Sequence, residues 1–153
     1  MSIEIENESA VKVDLDAVLG LAQSALAQLH IDSAADIEIL LVDEAPMESY
    51  HLDWMEESGA TDVLSQPIDM LRPGKPGAIT APGHLGLIVL CPQVAARQAE
   101  TAGHSFMHEV FILTAHSILH LLGYDHAEPD DEREMFALQE QIVRNFASEG
   151  QAL

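Results

Sequence analysis

His116 and His120 stand four residues apart in the segment His116-Ser-Ile-Leu-His120-Leu-Leu-Gly123-Tyr-Asp-His126. On a helix, about 100° per residue brings two such imidazoles to one face, one turn apart. Gly123 ends that helix, and the returning chain carries His126 toward the same point. Three neutral ring nitrogens fill three corners of a tetrahedral zinc site and leave the fourth open. Water at an open corner drops to a pKa of about 7 and becomes a nucleophile without help from Ser or Cys. His104 and His108 repeat the four-residue spacing without this continuation and read as incidental. The sole cysteine, Cys91, excludes an internal disulfide and every Cys-rich metal site, so a metal here depends on His and carboxylate. Asp125, between the turn and the third histidine, is placed to accept a hydrogen bond from a ligating imidazole; Tyr124 reads as packing.

The same histidine and glycine spacing occurs in the metzincin protease signature H-E-x-x-H-x-x-G-x-x-H. That signature uses its glutamate as general base, and Ser117 stands in its place. A hydroxyl does not hold a proton at neutral pH as a carboxylate does, so peptide hydrolysis lacks its base.

Charge narrows the choice of substrate. Acidic residues outnumber basic ones by 26 to 6, a formal net charge of -20, which argues against broad attraction to polyanions or anionic lipid. The placement is uneven. Residues 1–60 hold 14 acids and one base, and residues 127–153 hold 7 acids and two bases. Residues 61–126 hold five acids, three bases and six of the eight histidines. That near-neutral middle is where chemistry on an anion is expected. Its bases are Arg72 and Lys75, on a Pro/Gly-rich loop, and Arg97, on the helix before the histidine helix; each is a candidate phosphate contact. His51 and His84 are candidate acid-base groups, their ordinary pKa lying near 6.5. No apolar run approaches the 18 or so residues of a membrane span, and the N-terminus lacks a basic leader, so the expectation is a soluble, cytoplasmic protein without a membrane partner.

The elements that must position the histidines follow from periodicity. With 153 residues, 48% of them apolar, the chain is expected to form one domain over 1–153. Ile3 and Ile5 alternate with glutamates as a short strand. A helix then runs from Leu15 to Leu29 behind Asp14 as N-cap. Ile37 to Val42 reads as a buried strand, and Glu44 to Glu57 as a helix ending near Ser58-Gly59. Val63 to Ile68 is a strand interrupted late by Pro67. From Asp69 to Gly83, Pro73, Pro76 and Pro82 alternate with glycines in a loop long enough to border a site. Leu85 to Cys91 is a strand, Pro92 to Ala102 a helix with proline at its first turn, and Ser105 to Leu122 a long apolar helix. Asp130 or Asp131 is expected to cap a last helix reaching about Ala147. The fold class is therefore α/β (α+β): a small mixed four-stranded sheet with about five helices and a long central metal-binding helix, in the manner of a zincin.

These motifs together resemble those of the YbeY family, bacterial rRNA maturation factors with zinc-dependent endoribonuclease activity. Residues 116–126 match the family's H-G-x-L-H-L-x-G-Y-D-H with Ser117 at the usual glycine, and Thr61-Asp-Val-Leu-Ser65 is similar to its T-D-V-L-S-F strand. The likeness runs over roughly residues 36–145. It implies single-strand-specific RNA cleavage in maturing the 3′ end of small-subunit ribosomal RNA and in ribosome quality control. It also implies one zinc ion per chain on His116, His120 and His126, with His116 needed for catalysis. Three positions depart from the pattern. His51 stands where the family carries an arginine, Gln66 replaces a phenylalanine, and Leu87 replaces an aspartate. A neutral imidazole does not clamp phosphate as a guanidinium does. The shortage of Lys and Arg implies weak, salt-sensitive binding of free RNA, with the small ribosomal subunit or a ribosome-associated protein delivering the substrate. Two other classes remain beside the nuclease: a zinc metalloprotease-like hydrolase, and a ribosome-assembly factor whose zinc only holds the turn.

Overall fold

Short extended segments build a four-stranded sheet in the computed structural model, which describes residues 3–55, 61–125 and 128–148. The strands are β1 (Ile3–Asn7), β2 (Asp36–Leu41), β3 (Val63–Pro67) and β4 (His84–Leu90), in the spatial order β1-β2-β4-β3. β1, β2 and β4 run parallel, and β3 pairs antiparallel along the outer side of β4. Alternate residues face opposite sides, as the pleat requires. Ile37, Ile39, Leu41, Ile88 and Leu90 enter the main core, while Val42, Val89 and Cys91 enter a smaller one. Pro67 ends β3, an edge strand, where its missing N–H breaks no interior ladder.

Five helices lie among the described residues, α1 (Leu15–Gln28), α2 (Glu44–Met55), α3 (Pro92–Ala102), α4 (Phe106–Leu121) and α5 (Pro129–Ser148); α1 and α4 pack on the sheet, α3 packs on α4, and α5 packs on α1 and α4. Asp14 caps α1 through a bond from the Ala17 N–H to its Oδ1, as its position before the apolar repeat predicts. α2 lays Met47 into the smaller core, with Tyr50 and Trp54 packed beside it. α4 is buried on most sides, from Val110 to Leu121, which explains why its sequence is apolar nearly all round. α5 docks on it, with the rings of Phe111 and Phe146 meeting edge to face at 5.2 Å.

The expected element order and mixed sheet are therefore present, with two corrections. The last helix begins at Pro129, not after an Asp130 or Asp131 cap: the Glu132 N–H bonds the Glu128 carbonyl, and both aspartates lie inside the first turn. Proline is at home at a first helical position, and carboxylates there complement the helix dipole. β4 also carries an irregularity that periodicity does not reveal. Asp36 pairs with His84 but Ile37 pairs with Gly86, so Leu85 is an extra residue. Gly86 has φ +148, and a β-carbon there would stand 2.1 Å from the Gln66 carbonyl oxygen. Only glycine fits. The expected end of α2 near Ser58-Gly59 lies outside the described residues.

Candidate metal and RNA site

The turn after α4 sets the geometry of the site. The Gly123 N–H bonds the His120 carbonyl at 3.0 Å and the Tyr124 N–H bonds the Leu119 carbonyl at 3.0 Å, with Gly123 at φ +95. This is the paired-bond termination that a left-handed glycine permits, and it reverses the chain directly after the two histidines. Arg72 reaches the same turn from the long Pro/Gly loop, its Nη1 lying 3.4 Å from the Leu122 carbonyl. The loop is pinned to the end of α1 by bonds from the Gly74 N–H to the Leu29 carbonyl and from the Thr80 N–H to the His30 carbonyl. Through Arg72 the loop meets the turn after α4, but none of its residues lines the groove that holds His116 and His120.

His116 and His120 lie side by side on α4, their ring centroids 4.6 Å apart and nearly perpendicular. The His116 Nδ1 is 2.7 Å from the Oε1 of Gln139 on α5. Both imidazoles open into a groove of about 460 Å³. Trp54 and Met55 of α2 form one wall, and the segment from Asp62 to Pro67, essentially edge strand β3, forms the other. Asp62 is the one charged residue on that lining, and no Lys or Arg lines it among the described residues. Two imidazoles a turn apart suit a borderline divalent cation such as zinc. Among the described residues no group of three His, Cys, Asp or Glu converges on one point, and His126, the expected third donor, lies outside them.

The remaining sequence candidates scatter. Asp125 is exposed on the turn, in a hollow of about 270 Å³ shared with Arg72, Tyr124, Asp131 and Glu134. Tyr124 packs against the main core, and burial together with Glu134 pushes its hydroxyl above the ordinary tyrosine range. Arg97 donates from Nη1 and Nη2 to the two Glu44 carboxylate oxygens, at 2.9 and 3.2 Å, which holds the Glu44 carboxyl below its usual range. Lys75 is exposed at a tight turn closed by paired bonds with Ala78. His51 is half-buried on α2 and His84 lies at the start of β4, 3.8 Å from a Glu38 oxygen; neither lines the groove. His104 bonds the Glu109 carboxylate at 2.6 Å, so one member of the second histidine pair is already held by a side chain of α4. Ser117 is fully buried, and its hydroxyl has no hydrogen-bond partner among the described residues. The position that carries a base in the proteases is thus directed into the core here.

Sequence reasoning missed Trp54, Met55 and Gln139. The signal for Gln139 was present: Met135, Gln139, Ile142 and Phe146 recur at helical spacing, and the other three are fully buried apolar side chains. A lone amide in an apolar stripe needs a partner.

Residues 3–147 match the model of a family described as Endoribonuclease YbeY. A protein named Endoribonuclease YbeY from Clavibacter sepedonicus is 60% identical over 147 residues, covering 96% of each chain. Its namesake from Thermobifida fusca is 55% identical over 146 residues, covering 95% of this chain and 94% of the relative. The fold is similar to the solution structure of TM1509 from Thermotoga maritima, with a TM-score of 0.67 at 24% identity, covering 97% of this chain and 91% of that one.

Proposed function

We propose, from the premise that this chain belongs to the Endoribonuclease YbeY family, that it is a zinc-dependent endoribonuclease specific for single-stranded RNA. Its task is maturation of the 3′ end of small-subunit ribosomal RNA and ribosome quality control, in the cytoplasm, as one domain over 1–153. No helix among the described residues is long and apolar enough to cross a membrane. The observation that carries this reading is the adjacent pair His116 and His120 opening into a groove walled by Trp54 and an edge strand.

His116, His120 and His126 would hold one zinc ion, and Asp125 would accept a hydrogen bond from one of the ligating rings. Zinc, when bound, supplies Lewis acidity toward the phosphoryl group and a source of hydroxide near neutral pH. The protein supplies the rest. Trp54 offers an indole surface on which an unpaired base stacks, an interaction worth about 1–3 kcal/mol per base in single-strand binders. A base inside a duplex cannot reach it, which supports the single-strand preference. The groove lining holds Asp62 and no cation, and the protein is strongly acidic. Phosphate attraction is therefore small, and delivery by the small ribosomal subunit or a ribosome-associated protein compensates.

The test is cleavage of matched single-stranded and duplex RNA by zinc-replete protein, beside chelated protein and His116→Ala. The expected outcome is cut single strands only, with cleavage lost on chelation and in the substituted protein. Stoichiometric zinc and full cleavage in His116→Ala would remove that residue from the site. Intact ribosome association without turnover on any RNA would favour an assembly factor whose zinc holds the turn.

A further inference from the structure

Gln139 is a polar residue on the inward stripe of α5, and its amide oxygen lies 2.7 Å from the Nδ1 of His116. A neutral imidazole carries one N–H, and an amide oxygen can only accept. The contact therefore puts the proton on Nδ1 and leaves the lone pair on Nε2. Phe136, one turn earlier on α5, stands beside the same imidazole, with ring centroids 6.2 Å apart and planes 36° from parallel. α5 thus touches His116 at one nitrogen and along its ring, and restrains both its protonation pattern and its rotation.

We propose that Gln139 is a positioning residue: by accepting the His116 Nδ1–H it holds that imidazole in the tautomer whose Nε2 can bind zinc. This rests on the zinc reading above. The opposite orientation of the amide is chemically distinct. Its NH2 would donate to Nδ1, force the proton onto Nε2 and block the nitrogen a cation needs. Partners of this kind fix the orientation of metal-binding histidines and raise their basicity, and removing one typically weakens metal affinity by about 10–100-fold.

Three variants separate positioning from packing. Gln139→Leu matches the size of the amide and suits an apolar stripe, so metal-free thermal stability stays at or above the wild-type value while zinc affinity, measured by chelator competition, falls about 10–100-fold. Gln139→Glu keeps an acceptor in place and retains wild-type affinity or exceeds it. Gln139→Lys offers only donors and binds zinc no better than the leucine variant. Long-range 1H–15N correlation spectra of metal-free wild type, at a pH well above the ordinary histidine value of about 6.5, report the tautomer directly. The expected species at His116 is Nδ1–H, and it becomes mixed in Gln139→Leu. An Nε2–H species in the wild type, or equal zinc affinity in the wild type and Gln139→Leu, overturns the proposal. Failure of the wild type to bind zinc would sink the metal reading instead, and the tautomer then decides the Gln139 contact by itself.

Discussion

The guanidinium of Arg72 occupies the space a side chain at Gly123 would need: a β-carbon there would stand 2.6 Å from Nη1. The same glycine adopts φ +95, a conformation other residues enter at a cost. Two demands thus fall on one residue, a left-handed turn and the close approach of a cation to the end of α4. That cation lies beside the last carbonyls of the helix, where positive charge opposes the dipole. Arg72 is part of the turn before it is a contact for anything else.

Gly123→Ala should therefore lower stability by about 1–2 kcal/mol from backbone strain, and Arg72→Ala by about 0.3–1 kcal/mol from the lost helix-end charge. Because alanine at residue 123 also displaces the guanidinium, the double variant should lose less than the sum of the two. Urea unfolding of the four proteins measures this. Strict additivity would mean that the two side chains do not share the turn.

Ser117 gives an opposite expectation. Its hydroxyl is buried without a partner among the described residues, and desolvating such a group costs about 1–3 kcal/mol. Ser117→Ala removes the hydroxyl and leaves a strong helix former, so stability should rise by about 1 kcal/mol with RNA cleavage unchanged. Ser117→Gly should lie about 1 kcal/mol below the alanine variant. A loss of cleavage in Ser117→Ala with stability preserved would give the hydroxyl a chemical role that its burial argues against.

Local chemistry explains what could be read in advance. The short apolar runs of β2 and β4, the Asp14 cap and the Gly123 stop are each decided within a few residues, so strand and helix positions emerge from the sequence. The His116–His120 pair is equally local, because one helical turn fixes it. What escaped depends on pairing between distant segments. The extra residue at Leu85 exists only relative to β2, and Gly86 is needed only because the Gln66 carbonyl approaches it. Trp54, Met55 and β3 meet the histidines across the sheet edge, and Gln139 reaches His116 from 23 residues away. The start of α5 was missed for a different reason. Asp130 and Asp131 are good caps in isolation, and the proline ahead of them, pre-set for a helix, prevailed.

Asp43 gives the protein an acid-sensitive joint far in sequence from the histidines. Its Oδ1 accepts the Ala10 N–H at 2.9 Å and the Gln93 Nε2–H at 2.5 Å, tying the segment after β1 and the start of α3 to the junction of β2 and α2. These bonds, the Ala10 one foremost, hold its carboxyl below the ordinary value of 3.8 against a smaller opposing effect of desolvation. The folded chain then binds fewer protons here than the unfolded chain between the two pKa values. The stabilisation is full above the unfolded value and disappears as pH falls through the lower, folded one. Asp43→Ala should accordingly unfold at lower urea than the wild type at neutral pH. The gap should hold steady down to about pH 4 and close below it. Asp43→Asn keeps an acceptor without the charge, so its difference from Asp43→Ala should not vary with pH across the same range. A wild-type to Asp43→Ala gap that persists undiminished well below the ordinary carboxylate range would mean that contacts other than these two bonds stabilise the junction.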